Sequence, residues 1–572
     1  MSQVFSYLKP YRARMALGFS IKVLGTVIEL FLPMILSHIL DNVIVTMDLY
    51  KVLIYGALMI VCAAGACAFN IIANRMAAKV SNQFSRKMRS DLFEKTLCLS
   101  SRETDSFTVA SLESRITSDT YNVHNFVNMM QRMGVRAPIL LVGGMTISFI
   151  MDAYLALVML AMLPIIFCII YFISKRGVPL YSKVQTSVDS MVRVVREDAQ
   201  GIRVIKALSK NEYENKRYDK VNYTLSRDER KAGVIMGAVN PIMTLLMNLG
   251  IVAVVALSAA RVASEKSSAP TVIAFMQYFT LISMAMMTLS RIFVMYTKCA
   301  ASAKRISEVM NTPDTYFVSE NGEKADTDAH ISFEDVSFSY FGVKCDLENI
   351  SFSLKRGESL GIIGATGSGK TTLARLLMRF YDVGSGRILI DGININSLTK
   401  AQLRQKFGIA MQNDFLYADT VEENISFGRN LPMEKIVKAA KIAQADEFIS
   451  AFPDGYSHML TQKGTNLSGG QRQRLFISRA IAGEPDILIL DDSSSALDYK
   501  TDAALRAALA EEFKDKTVIT IAQRVSSVKN CDLILVLDGG RIIGRGSHEQ
   551  LLANCPEYKE ISDSQMGGAF VE

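Results

Sequence analysis

Charge is scarce in this sequence. Charged residues make up 21% of its 572 positions and hydrophobic ones 49%, which excludes an intrinsically disordered chain and a collagen-like one. Eight cysteines are present, but no two form a CxxC pair. That argues against a zinc or disulfide framework, and the thiols read as reduced small hydrophobes. Charge imbalance is also missing. The 63 basic and 56 acidic residues leave +7, too little over this length to call for nucleic acid as a partner. The opening MSQVFSYLKPYRARM holds no signal-peptide pattern, and the apolar run behind it is too long for an h-region. What remains is either a very apolar globular chain or a membrane protein with a soluble part.

The distribution of apolar residues decides between these. A bilayer core of roughly 30 Å takes about 20 apolar residues as a helix. Six stretches qualify: 15–40, 52–74, 133–151, 153–173, 233–260 and 271–296. The connections 41–51, 152 and 261–270 carry only Lys51, Arg261 and Lys266 as basic residues. Residues 75–136 carry ten Lys or Arg, and residues 175–231 carry fourteen. The positive-inside rule therefore places both long connections, and both termini, in the cytoplasm. Val192–Leu208 repeats Ile and Val at three- and four-residue spacing, so the spans are expected to continue as helices beyond the bilayer. An interfacial helix is expected around Tyr7–Arg14.

Asn311–His330 is polar, acidic and aperiodic, a linker. Beyond it, strand-like stretches such as Ile331–Tyr340, Ser359–Ile363 and Ile487–Leu490 alternate with helical patterns, an α/β layout. Ser359–Ile363 runs into Gly364-Ala-Thr366-Gly367-Ser368-Gly369-Lys370-Thr371-Thr372. A strand, a glycine-rich loop and a helix start in that order cradle phosphates on backbone N–H groups at a helix N-terminus. Lys370 is placed to reach the β- and γ-phosphates of ATP, and the Thr371 hydroxyl to hold Mg²⁺. Asp491, at the end of an apolar strand, is the expected second magnesium ligand.

The segment Asn466-Leu467-Ser468-Gly469-Gly470-Gln471 precedes Asp491 by about twenty residues. With six spans ahead of it, the ordered set resembles the ATP-binding cassette (ABC) exporters along nearly the whole chain. The resemblance implies that Tyr340 stacks on adenine, that Gln412 in MQNDFLYADT joins the magnesium ligands, and that Asp498 closes the Ser495–Asp498 segment. It implies that Ser468, Gly469, Gly470 and Gln471 serve a nucleotide held by the partner's Walker loop, so this chain is half of a dimer. Arg89–Phe93, Ser114–Asp119 and Glu197–Leu208 are similar to the cytoplasmic extensions of exporters. The expected fold is an α-helical six-span transmembrane domain with long cytoplasmic helical extensions (1–310), a linker (311–330), and an α/β P-loop nucleotide-binding domain (331–572).

Two positions depart from the family. Where its members carry a glutamate after the magnesium aspartate, as base on the attacking water, this chain has Asp492; where they carry a histidine near the γ-phosphate, it has Gln523. Gln462 also stands where glutamate is usual before the signature. Losing a methylene retracts a carboxylate by roughly 1.5 Å, and about 1 Å of misplacement can cost on the order of 100-fold in rate. Glutamine cannot carry or relay the imidazole proton. The alternatives are drift within a working ATPase and a degenerate site that holds ATP but cleaves it slowly. The second, with an intact signature, implies a non-identical ABC half-transporter as partner, with Glu after its own aspartate. The pattern resembles one half of a bacterial heterodimeric multidrug exporter in the plasma membrane.

Substrate candidates come from the spans. Lys22 and Glu29 share a face of the first span, where ionisable groups mark functional sites. Lys22 could equally snorkel to the headgroups, while Glu29 is expected to face a cavity. Pro33 is expected to kink that helix. Met284 and Met287, in the methionine-rich sixth span, suit a pocket for amphipathic small molecules or face lipid. Lipid or peptide export, or an ATP-gated regulatory or channel-like role, are the competing functions.

Overall fold

The computed structural model describes residues 2–566 apart from 264–267, 314, 315, 317, 319–324, 341, 343, 413 and 494. Lys266, Asn413 and much of the 311–330 linker therefore lie outside the described residues. Two compact units emerge: Met1–Leu97 with Val109–Thr312, and Cys98–Thr108 with Pro313–Glu572.

In the first unit, hydrocarbon leaves backbone groups no partner but the helix itself. Among the described residues, six helical runs are long and apolar enough to cross a membrane: Val4–Thr46, Leu49–Cys98, Val109–Met151, Ala153–Ala207, Asn211–Ala263 and Ala269–Met310. Each contains one of the expected spans, and the basic connections continue as helix. The expected helix at Tyr7–Arg14 is instead divided. A helix Ser2–Leu8 ends in a 3₁₀ turn, Lys9–Tyr11, before the helix Arg12–His38. Pro10 is the reason, because it has no N–H to extend the first helix. Pro33 lies inside Arg12–His38, and the departure from α geometry comes later, at the π-helical turn Ile39–Val43.

The core of this unit gathers Leu30, Leu140, Leu155 and Met159 around Phe275, Tyr278, Phe279 and Ile282 of the last run. A buried phenol needs a partner, and the Tyr278 hydroxyl donates to the Leu30 carbonyl at 2.6 Å. That carbonyl neighbours the one Pro33 leaves without a helical donor. Gly25 lets the first two runs approach: a Cβ there would stand 2.9 Å from Phe69 Cβ. Farther along, Arg305 Nε and Ser302 Oγ donate to the buried Asp119 carboxylate at 2.7 and 2.8 Å, tying the third run to the sixth.

A single residue turns the third run into the fourth. Asp152 is extended, and its Oδ1 accepts from the N–H groups of Tyr154 (3.0 Å) and Leu155 (3.3 Å), capping Ala153–Ala207. Its Oδ2 takes Arg261 Nε at 3.0 Å, joining the fifth run to the same point.

Among the described residues the second unit holds ten strands: β1 Ile331–Phe338, β2 Leu347–Leu354, β3 Ser359–Gly364, β4 Ser385–Ile390, β5 Ile393–Asn394, β6 Phe407–Ala410, β7 Ile487–Asp491, β8 Thr517–Ile521, β9 Leu533–Asp538 and β10 Arg541–Gly546. One sheet runs β10-β9-β3-β8-β7-β6, parallel except for the β9–β10 hairpin; the other is antiparallel, β2-β1-β4-β5. Central strands β3 and β7 are apolar almost throughout, as burial on both faces demands. The short helix Ser101–Phe107, closed by a Ser100–Glu103 capping box, packs with this unit. Tyr381 donates to Asp105 at 2.5 Å.

Asp152→Ala removes two helix-capping bonds and one ion pair together. It should lower stability by about 1–2 kcal/mol, seen as faster thermal inactivation in detergent, with Asp152→Asn in between. An unchanged half-life for Asp152→Ala would contradict this role.

Candidate nucleotide-binding site

The ends of β3 and β7 meet because both belong to the parallel sheet, separated only by β8. The loop after β3 turns into the helix Lys370–Leu377, and β7 delivers Asp491 beside it. Gly367 (φ +85°) and Gly369 (φ +100°) take left-handed conformations that favour glycine. Around this junction lies a cavity of about 400 Å³, walled by Thr366, Lys370, Thr371, Gln412, Asp491 and Gln523 among others.

Lys370 is buried, and its Nζ donates to the carbonyls of Gly364 and Ala365 at 2.8 Å each. Burial lowers its pKa, opposed by the charges of Asp491 and Asp492. Thr371 Oγ1 donates to Asp491 Oδ1 at 3.2 Å, so two of the three expected metal ligands already adjoin. Burial pushes the Asp491 carboxyl above its ordinary range, against the Thr371 bond, with Asp492 adding to the rise. The Ser368 hydroxyl is buried without a partner among the described residues, an orphan donor on the loop.

Asp492 stands at φ +49° just beyond β7, its N–H held by the Ile521 carbonyl at 2.8 Å. Two amides converge on its Oδ2: Gln412 Nε2 at 3.1 Å and Gln523 Nε2 at 3.4 Å. Both departures from the family pattern thus touch each other. Burial raises the Asp492 carboxyl, and the Gln412 bond opposes the rise.

Tyr340 donates to Thr372 Oγ1 at 3.3 Å, and its ring meets Tyr381 edge-on at 5.0 Å. Ser468 and Gln471 form the capping box of the helix Gly469–Ile481, which carries Gly469 and Gly470 in its first turn. None of these four lines the cavity. Asp498, also outside it, caps the helix Tyr499–Glu512 by accepting from the Thr501 N–H at 2.9 Å. Gln473 was not singled out in the sequence. Its Nε2 donates to Ser495 Oγ at 3.2 Å and its Oε1 accepts from the Ala496 N–H at 3.0 Å, joining that helix to the loop after Asp492. Its only signal was a polar residue one turn after Gly469.

In the membrane unit, Lys22 is buried and Glu29 is paired with Arg136. Met284 is exposed and Met287 half-buried on the sixth run.

The family pattern described as the ABC transporter transmembrane region matches residues 15–286, and that described as ABC transporter matches residues 347–495. An uncharacterized ABC transporter ATP-binding protein of Bacillus subtilis, YfiB, is 34% identical over 570 residues, 99% of each chain. Another, from Mycobacterium tuberculosis, is 33% identical over 99% of this chain and 98% of its own. A bacterial Atm1-family ABC exporter solved with ATP bound has the same fold: TM-score 0.82 at 24% identity, over 98% of this chain and 99% of that one.

A Cβ on Gly369 would lie 2.6 Å from Leu347 Cδ2 and 3.2 Å from the Asp346 carbonyl, whereas one on Gly367 would meet nothing within 4 Å. Gly369→Ala should therefore destabilise the cassette more than Gly367→Ala, by about 1 kcal/mol or more. Thermal melts of the two variants, compared side by side, give the order.

Proposed function

The chain belongs to the ABC transporters, and on that premise we propose that it is one half of an ATP-driven exporter of amphipathic small molecules, paired with a non-identical half. Its exporter domain is 1–310 and its cassette 331–572, joined by the linker 311–330. The basic connections support a cytoplasmic position for both termini in a bacterial plasma membrane.

The residues present fit ATP and magnesium. The orphan Ser368 hydroxyl and the folded-back Lys370 are donors awaiting phosphate oxygens, and Thr371, Asp491 and Gln412 would hold Mg²⁺. Bound magnesium would neutralise phosphate charge as it moves. Tyr340 supplies a ring for adenine.

The convergence of Gln412 and Gln523 on Asp492 Oδ2 carries the heterodimer reading. A carboxylate that is to take a proton from water must present a free oxygen at hydrogen-bond distance. Here the side chain is one methylene short, and one of its oxygens is occupied by two amide donors. Such a site holds ATP and cleaves it slowly. The signature residues Ser468 and Gly470 are intact and stand away from their own loop, which suits them to complete the partner's site. Hydrolysis there would reset the transport cycle while this site keeps the cassettes in contact.

Two measurements test this. The purified chain alone should hydrolyse ATP slowly, and its mixture with a half-transporter that carries Glu after its magnesium aspartate should hydrolyse rapidly; fast turnover by the lone chain in a defined homodimer would sink the heterodimer. Asp492→Glu should raise turnover at this site on the order of 100-fold, and more when combined with Gln523→His. No gain from either change would mean that the carboxylate's reach is not what limits the site.

A further inference from the structure

We propose that the first three helical runs form a binding site for the anionic group of an amphipathic compound. The proposal rests on the export reading above and adds the charge class of the substrate.

Three cations meet there. Lys22 is only 3% exposed, and its Nζ donates to Asn70 Oδ1 at 2.7 Å and Asn74 Oδ1 at 3.2 Å. Arg136 donates to Glu29 Oε1 at 2.5 Å. Arg132 lies one turn before Arg136, and both arginines act electrostatically on Lys22, as does Glu29. Asn70 and Asn74 share one helix face; Asn128, Arg132 and Arg136 share another. Among the described residues, Glu29 is the one carboxylate paired into this group. Three positive charges against one negative leave an excess of two.

That excess is costly. A buried cation whose neighbours are neutral amides pays a desolvation penalty that dipoles repay only in part, and ionisable groups at membrane depth mark functional sites. Donors are also left over: Arg132 Nε and Arg136 Nε are buried without hydrogen-bond partners among the described residues. Two acceptors, Glu29 Oε2 and Asn128 Oδ1, are orphaned beside them. A carboxylate, sulfonate or phosphate accepts from several such donors at once and cancels the charge.

A mainly apolar cavity of about 800 Å³, walled by Phe5, Phe19, Met76, Met130, Phe293, Arg14 and Gln131 among others, lies along the same helices, although none of the cluster residues itself lines it. Its wall also includes Gly18, one turn before Lys22, together with Ala73 and Val135, the residues preceding Asn74 and Arg136. The volume is that of a typical small-molecule pocket, and its methionines adapt to varied shapes. An apolar body in the cavity, with its anionic end reaching past Gly18, Ala73 and Val135 toward Lys22 and Arg132, would use both parts. Glu29 is ion-paired with Arg136 through Oε1, so a cationic compound would have to compete with that arginine for the carboxylate.

The test is equilibrium binding of two matched probes, dansylated undecanoate and its trimethylammonium counterpart. The full chain is used, assembled with its partner half in phosphatidylcholine nanodiscs, without nucleotide and corrected for empty discs. The anion should bind about tenfold more tightly than the cation, and Arg132→Gln and Lys22→Gln should each weaken the anion about tenfold, with Arg132→Lys retaining most of the affinity. Equal or tighter binding of the cation by the unmodified protein overturns the proposal, as does unchanged anion affinity in both glutamine variants. A carboxylate of the partner half neutralising Arg132 would produce the first of these outcomes. If a glutamine variant fails to assemble, the preference of the unmodified protein and the Arg132→Lys result still decide. Because no nucleotide is present, failure here leaves the hydrolytic asymmetry standing, and failure of that asymmetry leaves this result intact.

Discussion

Hydrocarbon accepts no hydrogen bonds, and the first unit is organised by that constraint. Backbone groups are satisfied within helices, so 300 residues resolve into a few very long rods. Polar side chains carried into them then bond either to their own rod's backbone, as Thr26 and Ser148 do, or to a partner on another rod. Asn70 and Asn74 hold Lys22, Arg136 holds Glu29, and the Leu30 carbonyl takes the Tyr278 hydroxyl. These few bonds give the packed runs their register, because apolar contacts alone would tolerate sliding. Where the pairing is incomplete, around Arg132, the same constraint turns a structural debt into a recognition surface.

In the second unit the corresponding constraint is the parallel sheet. It brings the C-terminal ends of β3 and β7 to the same end of the sheet, and so sets a phosphate loop beside a carboxylate supplied 120 positions away. Once the sheet has formed, differences of a single methylene become consequential. Asp492 is fixed at its N–H by the neighbouring strand and at its carboxylate by two glutamines, so it cannot extend to make up the missing length.

Much of this could be read in the order of residues. The six apolar stretches, the glycine loop and the signature are local patterns whose physics is contained in a dozen or two neighbouring positions. Tertiary pairings escaped. Glu29 reads alone as a free intramembrane acid, and only the packing of the third run against the first reveals Arg136 beside it. Lys22 reads as able to snorkel, until two asparagines about 50 residues on are found holding its amine. Gln473 carried no signal beyond its place in a helix. Pro10, inside the expected interfacial helix, divides it, because it has no N–H with which to continue the first helix.

The turn at Asp152 has a mechanical meaning. With one residue between them, and that residue bonded to both the following helix and Arg261, the third and fourth runs have no hinge on that side. They act as the two arms of a stiff hairpin: any displacement of one arm's far end must swing the other with it. The bend needed for opening and closing has to be taken up elsewhere along the rods. The same economy leaves almost no loop there for a protease or an antibody to grasp.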